Sequence, residues 1–271
     1  MSTLPADRTV TSAPPAAPTG PAIPGAVVTR AVASLLFLLL WELGYRARLI
    51  DPFFFSAPSL IGGVLVEQFG SGRIWPHLLV TIEEALLGLA IGFLAGATLG
   101  WLAAQQRPVA EVVEPFMMLL NSVPRVVVAP LFIMWFGIGL GSKIALALFL
   151  VFVVIFFAVY SGLKEVDRAL VERIVVLGGT RRDLLREVYV PSVMAWVFSS
   201  LRITVGFAFT GAVVGEFIAS SRGLGYLLNF AQNSYNASLM MATVGLIMAI
   251  IVGLFAVLSR VERRATLWKQ R

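Results

Sequence analysis

The sequence predicts an all-α integral membrane protein with six transmembrane helices, and three observations carry that prediction. Hydrophobic residues make up 58% of the 271 residues and charged residues only 13%, about half the charged share of an ordinary soluble domain. Six stretches approach the roughly 20 apolar residues that a helix needs to cross a bilayer. The remaining composition offers no rival architecture. With no cysteine and one histidine, His77, disulfide staples, thiolate chemistry and Cys/His metal centres are excluded.

Taken in order, residues 1–26 read as a flexible tail, because Pro5, Pro14, Pro15, Pro18, Pro21 and Pro24 fall among Ala, Thr and Ser and prevent a helix or a core. Arg8 followed by prolines is not the basic and apolar start of a signal peptide. The long apolar region covers 27–264, with spans at about 27–43, 78–104, 112–136, 143–163, 188–219 and 239–258. Residues 265–271 form a second tail. The third span contains Pro115, Pro124 and Pro130, so it is expected to be kinked or broken, with neighbouring helices satisfying the freed carbonyls.

Lys and Arg set the orientation. With the N-terminus cytoplasmic, 14 of them fall inside and 5 outside, the outer ones being Arg46, Arg48, Arg73, Lys143 and Arg222. Both termini are therefore expected in the cytoplasm. This asymmetry accounts for the net charge of +6 without nucleic acid, for which no groove of interleaved basic and aromatic residues is present.

The segment 164–187 between the fourth and fifth spans carries the most information. It is charged but patterned. Leu170, Ile174 and Leu177 share one helical face, and Leu184, Leu185 and Val188 share another. Gly178 and Gly179 stand between them, where the chain must turn sharply. The pattern predicts two short amphipathic helices with a glycine elbow, suited to a groove in a partner.

Here the chain resembles the permeases of binding-protein-dependent ATP-binding-cassette importers. Those carry Glu-Ala-Ala, three residues, Gly, nine residues, then Ile-x-Leu-Pro. This chain has Glu172, then Gly178, then Val188-Tyr189-Val190-Pro191 at the same separations, with Arg173 and Ile174 in place of the alanines. The run Pro130-Leu-Phe-Ile-Met-Trp-Phe-Gly-Ile-Gly139 and the pair of Gly215-Glu216-Phe217 with Gly223-Leu-Gly-Tyr226 are similar to signatures of the nitrate, sulfonate and taurine branch. The resemblance implies a bacterial inner-membrane subunit whose cytoplasmic loop, through Glu172, Gly178, Gly179, Val188 and Pro191, couples the pore to an ATPase dimer. It also implies a periplasmic or lipoprotein substrate-binding protein and a second permease copy, most simply a homodimer. The chain itself has no phosphate loop, since Gly141-Ser142-Lys143 has neither the order nor the spacing. It is expected to bind no cofactor and to catalyse nothing, with ATP and Mg on the partner. A gradient-driven secondary transporter is the alternative, but it leaves the loop motif without a role. The solute is expected to be a nitrate-, sulfonate- or taurine-like anion, or a vitamin precursor such as the pyrimidine of thiamine.

Ionisable groups at membrane depth are functional candidates. Arg125 falls midway along the third span and Arg202 about ten residues into the fifth. Glu83 and Glu84 lie in the second span, and Glu216 lies near the outer end of the fifth. Either the arginines line a pathway for an anion, or arginines and glutamates pair to brace the bundle, the reading that suits Glu84. Gly88, Gly92, Gly96 and Gly100 recur every four residues, giving a smooth ridge for close helix approach, static or sliding. Met117, Met118 and Met134 are candidates for a gate or for gap filling.

Overall fold

Prolines that read as breakers in the sequence stand mostly at helix starts, where their missing N–H has no intrahelical partner to lose. The computed structural model describes residues 24–266. Helix α1 (Pro24–Arg46) begins on a proline, as do the short α2 (Pro52–Phe55) and α3 (Pro58–Gly70). There follow α4 (Ile74–Gln105), α5 (Arg107–Ser122), a 3-10 turn (Arg125–Val128), α6 (Ala129–Phe136), α7 (Leu140–Lys164) and α8 (Arg168–Val176). The chain then runs through α9 (Arg181–Leu184), a π-helical segment (Leu185–Tyr189) and α10 (Val190–Ile218), and ends in α11 (Leu224–Asn233) and α12 (Ala237–Thr266). No strand occurs among the described residues.

Five helical stretches are long and apolar enough to cross a membrane, and α5 with Val126–Phe136 supplies a sixth if its two limbs, bent by 94°, count as one span. The bend falls at Pro124 rather than at Pro115 or Pro130. Val123 before it is extended, with φ −70° and ψ 130°, as the residue preceding a proline prefers. Pro115 is carried inside α5 and Pro130 opens α6.

The structure corrects two boundaries. The first helix starts at Pro24, inside the expected tail, and the rest of that tail lies outside the described residues, as do 267–271. The fifth span was expected to start at 188, after a separate second loop helix. Instead Arg181–Ile218 is one continuous helix. Pro191 offers no N–H to the preceding turn, and the π-helical segment absorbs the mismatch, with Val190 N–H bonded to the Leu185 carbonyl. Two further helices, α3 and α11, occupy stretches between the expected spans.

The centre of the bundle is α7, whose Ala147, Val151, Ile155 and Phe156 are fully enclosed. Helix α4 lies on one side of it and α10 on the other. The glycines of α4 make the first contact possible. A Cβ on Gly92 would stand 2.7 Å from the Leu148 carbonyl, one on Gly96 2.6 Å from that of Phe152, and one on Gly100 2.7 Å from that of Phe156. Gly88 lies equally close to Ala147, and Gly211 of α10 reaches Ala147 from the other side. Small residues thus bring three backbones together with no side chain between them. Helix α1 is peripheral, exposed from Val28 to Leu40. It is tied to α3 where Glu42 Oε2 accepts the Ser59 N–H at 3.1 Å.

Candidate functional site

Two regions hold the candidate residues, one at each end of the bundle. The first is the loop between α7 and α10. Asp167 caps α8 by accepting the Ala169 N–H at 2.8 Å. The helix ends in a Schellman turn: Gly178 N–H bonds the Val175 carbonyl at 3.0 Å and Gly179 N–H bonds that of Ile174 at 2.9 Å. Gly178 has φ +79°, the left-handed conformation that glycine adopts without strain. Gly179 sits against Ile174, with no room for a Cβ. Thr180 and Asp183 then form a capping box that starts the next helix.

The loop helix turns an apolar edge to solvent. Val176 and Leu177 are 85% and 79% exposed, and Glu172 is exposed beside them. Val188 lies in the π-helical segment and is buried, and Ser192, next to Pro191, donates to the Gly162 carbonyl of α7 at 2.8 Å. A recess of about 590 Å³ opens beside this loop, lined by Ala104, Gln105, Leu163, Arg181, Leu184 and Tyr189 among others. Near the same end, Tyr160 donates to Glu114 at 2.5 Å and Lys164 approaches that carboxylate at 3.3 Å, which ties α7 to α5.

The second region is a buried polar cluster at the opposite end. Glu84 of α4, Lys143 of α7 and Glu216 of α10 are each 1% exposed. Glu216 accepts from Thr81 Oγ1 at 2.7 Å and from the Gly225 N–H at 2.7 Å. Thr81 in turn accepts the Leu224 N–H at 2.8 Å, and His77 Nδ1 accepts the Gly223 N–H at 3.1 Å. Three successive N–H groups at the start of α11 are therefore held by side chains of α4 and α10. No side chain fits at Gly223 or Gly225, which lie against Glu216 itself. His77 also stacks on Tyr226, with ring centres 5.7 Å apart. Lys143 turns back to the carbonyls of Ile138 and Gly139 at its own helix start.

The five charge candidates thus part company. Glu84 and Glu216 come together. Glu83 points away from them and is exposed. Arg202 is exposed too, with Nη2 3.2 Å from Ser259 Oγ on α12, and Arg125 opens the 3-10 turn after the bend. The buried cation at this end is Lys143, not an arginine, and Lys143 lies in the core rather than at the outer surface where its position at a span end had placed it. A signal for this was present. A lysine in the first turn of a helix opposes the helix dipole, so its charge needed another partner. Met117 packs with Ala103, Phe156 and Tyr160, whereas Met118 and Met134 are exposed.

A helical bundle with five or six apolar crossings and buried charge between them is a multi-pass membrane protein. More narrowly, the chain belongs to the family of binding-protein-dependent transport system inner membrane components, whose match spans residues 88–265. It is 31% identical to the riboflavin transport system permease protein RibX of Chloroflexus aurantiacus, over 88% of this chain and 89% of that one. It is 28% identical to the formylaminopyrimidine transport permease protein ThiX of Halalkalibacterium halodurans, over 88% and 94%. It is also 28% identical to the taurine transport system permease protein TauC of Escherichia coli, over 89% and 90%. Among solved structures, an amino acid ABC transporter is similar with a TM-score of 0.58 at 17% identity, covering 74% of this chain and 97% of that one. The inward-facing MetNI methionine ABC transporter is similar with a TM-score of 0.56 at 21% identity, covering 70% and 93%. These two share the fold. The protein is an ABC transporter permease of the inner membrane.

Proposed function

We propose that this chain forms, with a second permease copy, the translocation pathway of an importer driven by a separate ATPase dimer and supplied by a substrate-binding protein. The observation that carries the proposal is the loop between α7 and α10. Its helix α8 is capped at both ends, turned by Gly178, and bares Val176 and Leu177 beside Glu172. An apolar edge on a rigid, charged loop suits a groove in a partner better than it suits water. Continuity of α9 with α10 makes the loop a lever, because displacement of Arg181 is carried along one helix to Ile218. ATP stays with the partner, which holds the Mg as well.

In this reading the end carrying α8 is cytoplasmic, and both termini lie on that side. With Lys143 moved to the core the outer surface keeps 4 basic residues against 14 inside, so the bias strengthens. The solute is a small polar one. Relatives named for taurine, formylaminopyrimidine and riboflavin support either an organic anion or a heteroaromatic vitamin or precursor, delivered by the binding protein that selects it. A gradient-driven transporter gives the loop no task.

Co-purification from native membranes tests this directly. The expected result is a stoichiometric ATPase subunit that dissociates when Val176 and Leu177 are both replaced by Asp. A chain that purifies alone and moves solute with an ion gradient would overturn the proposal.

A further inference from the structure

The polar cluster at the far end of the bundle has an uneven number of charges. Two carboxyl groups, Glu84 and Glu216, face one ammonium, Lys143, and all three are removed from solvent. Thr81, one helical turn before Glu84 on α4, bonds Glu216 at 2.7 Å, which places both carboxyls in one cluster. Two carboxylates buried in one cluster repel, and a proton on one of them removes the repulsion. A buried unpaired charge is also costly in a bundle surrounded by lipid. One proton settles both problems, leaving one anion opposite one cation.

The surrounding donors identify the holder. Both oxygens of Glu216 already accept, from Thr81 and from the Gly225 N–H. The second of these donors stands at the N-terminus of α11, whose dipole favours an anion. Glu84 is different, because its Oε2 has no partner among the described residues although the side chain is 1% exposed. Lys143 aims its N–H groups at the carbonyls of Ile138 and Gly139 and takes part in none of the ion pairs within 4.0 Å among the described residues. It balances the charge of the cluster from a distance and supplies neither carboxyl with a donor. Among the described residues no three His, Asp or Glu side chains are grouped to hold a metal ion.

We infer that Glu84 and Glu216 form a proton-binding site, in which Glu84 is a neutral carboxylic acid and Glu216 the carboxylate that balances Lys143. The other charged and titratable groups nearby stay outside the exchange. Glu83 faces away on α4, and His77 and Arg222 sit at the rim of the α11 start, with His77 Nδ1 engaged by Gly223. The site needs no substrate and does not rest on the transport reading.

The test uses the full chain in native membranes with the subunits that accompany it. Dicyclohexylcarbodiimide reacts with protonated carboxyls in apolar surroundings, and peptide mass spectrometry locates the adduct. Modification of Glu84 at neutral pH, with Glu83 and Glu216 spared, is the expected result. Infrared spectroscopy of the purified protein gives a second readout. A neutral carboxylic-acid carbonyl band present in the wild type should vanish in Glu84→Gln and persist in Glu83→Gln. The Glu84→Gln amide is neutral like the acid it replaces, so its melting temperature should stay within about 2 °C of wild type. A clear rise on that substitution would reveal two repelling anions and overturn the proposal. So would absence of the carbonyl band, or its suppression by added sodium, which would mark a cation in the proton's place. If Glu84→Gln does not fold, wild-type labelling and the wild-type band decide.

Discussion

Helices α4, α7 and α10 are joined by two different chemistries. Through the middle of the bundle the contact is dry and glycine-lined, with Gly88, Gly92, Gly96 and Gly100 against α7 from one side and Gly211 from the other. At the end away from α8 the same helices meet through Glu84, Lys143, Glu216 and Thr81. Lipid supplies no hydrophobic force to press helices together, so close backbone packing and buried polar contacts have to do it. The glycine row fixes how near the helices come. The polar cluster does something a glycine row cannot. It fixes a rotational setting and reaches beyond the bundle to hold the start of α11.

Each kind of contact can be disrupted by a single substitution. The largest effect is expected for Gly92→Leu. Even a single carbon there would lie 2.7 Å from the Leu148 carbonyl and 2.9 Å from Val151, so α4 and α7 must separate along their length. Overpacking ordinarily costs about 1–3 kcal/mol, and a backbone obstruction should exceed that. Size-exclusion profiles in detergent should show loss of folded protein, whereas Leu86→Ala on the outward face of α4 should not. Next comes Glu216→Ala, which strips the Gly225 N–H of its acceptor, leaves Thr81 only the His77 carbonyl, and leaves Lys143 with Glu84 alone. Breaking a buried charge constellation costs about 3–5 kcal/mol in water-soluble cores. Thermal unfolding should report a large drop, and hydrogen exchange should rise first at residues 223–225. Gly178→Val comes third. It forces a β-branched residue to φ +79°, a local penalty of about 1–2 kcal/mol, and should leave the melting temperature of the spans nearly unchanged. The smallest effect is expected for Tyr160→Phe, which removes one hydrogen bond to Glu114, worth about 1 kcal/mol. It is readable as a shift of a few degrees or less.

The sequence conveyed these two regions unequally. A period of four small residues is written directly in α4, and an apolar run of membrane length needs no tertiary information. The glycine turn at Gly178 was also legible, because left-handed backbone after a short amphipathic segment has few other residues to use. The polar cluster was not. Glu84 and Glu216 are far apart in the chain, and Lys143 reads as an ordinary basic residue at a span end until the fold buries it. Thr81 and His77 give no local hint that they hold the N–H groups of α11, since those hydrogen bonds cross about 140 positions. The continuity of the loop with α10 was hidden for a different reason. Pro191 normally signals a helix start, and only the π-helical turn before it lets the helix run through.

In the proposed importer the α7–α10 loop transmits work between this chain and an ATPase. The most direct measurement is ATP hydrolysis by the co-purified complex in lipid vesicles, with and without the substrate-loaded binding protein, for wild type and Gly178→Val. Stimulation is expected in the wild type and is expected to be lost in Gly178→Val while the spans melt as before. Equal stimulation in both, with Gly178→Val present at full occupancy, would contradict it.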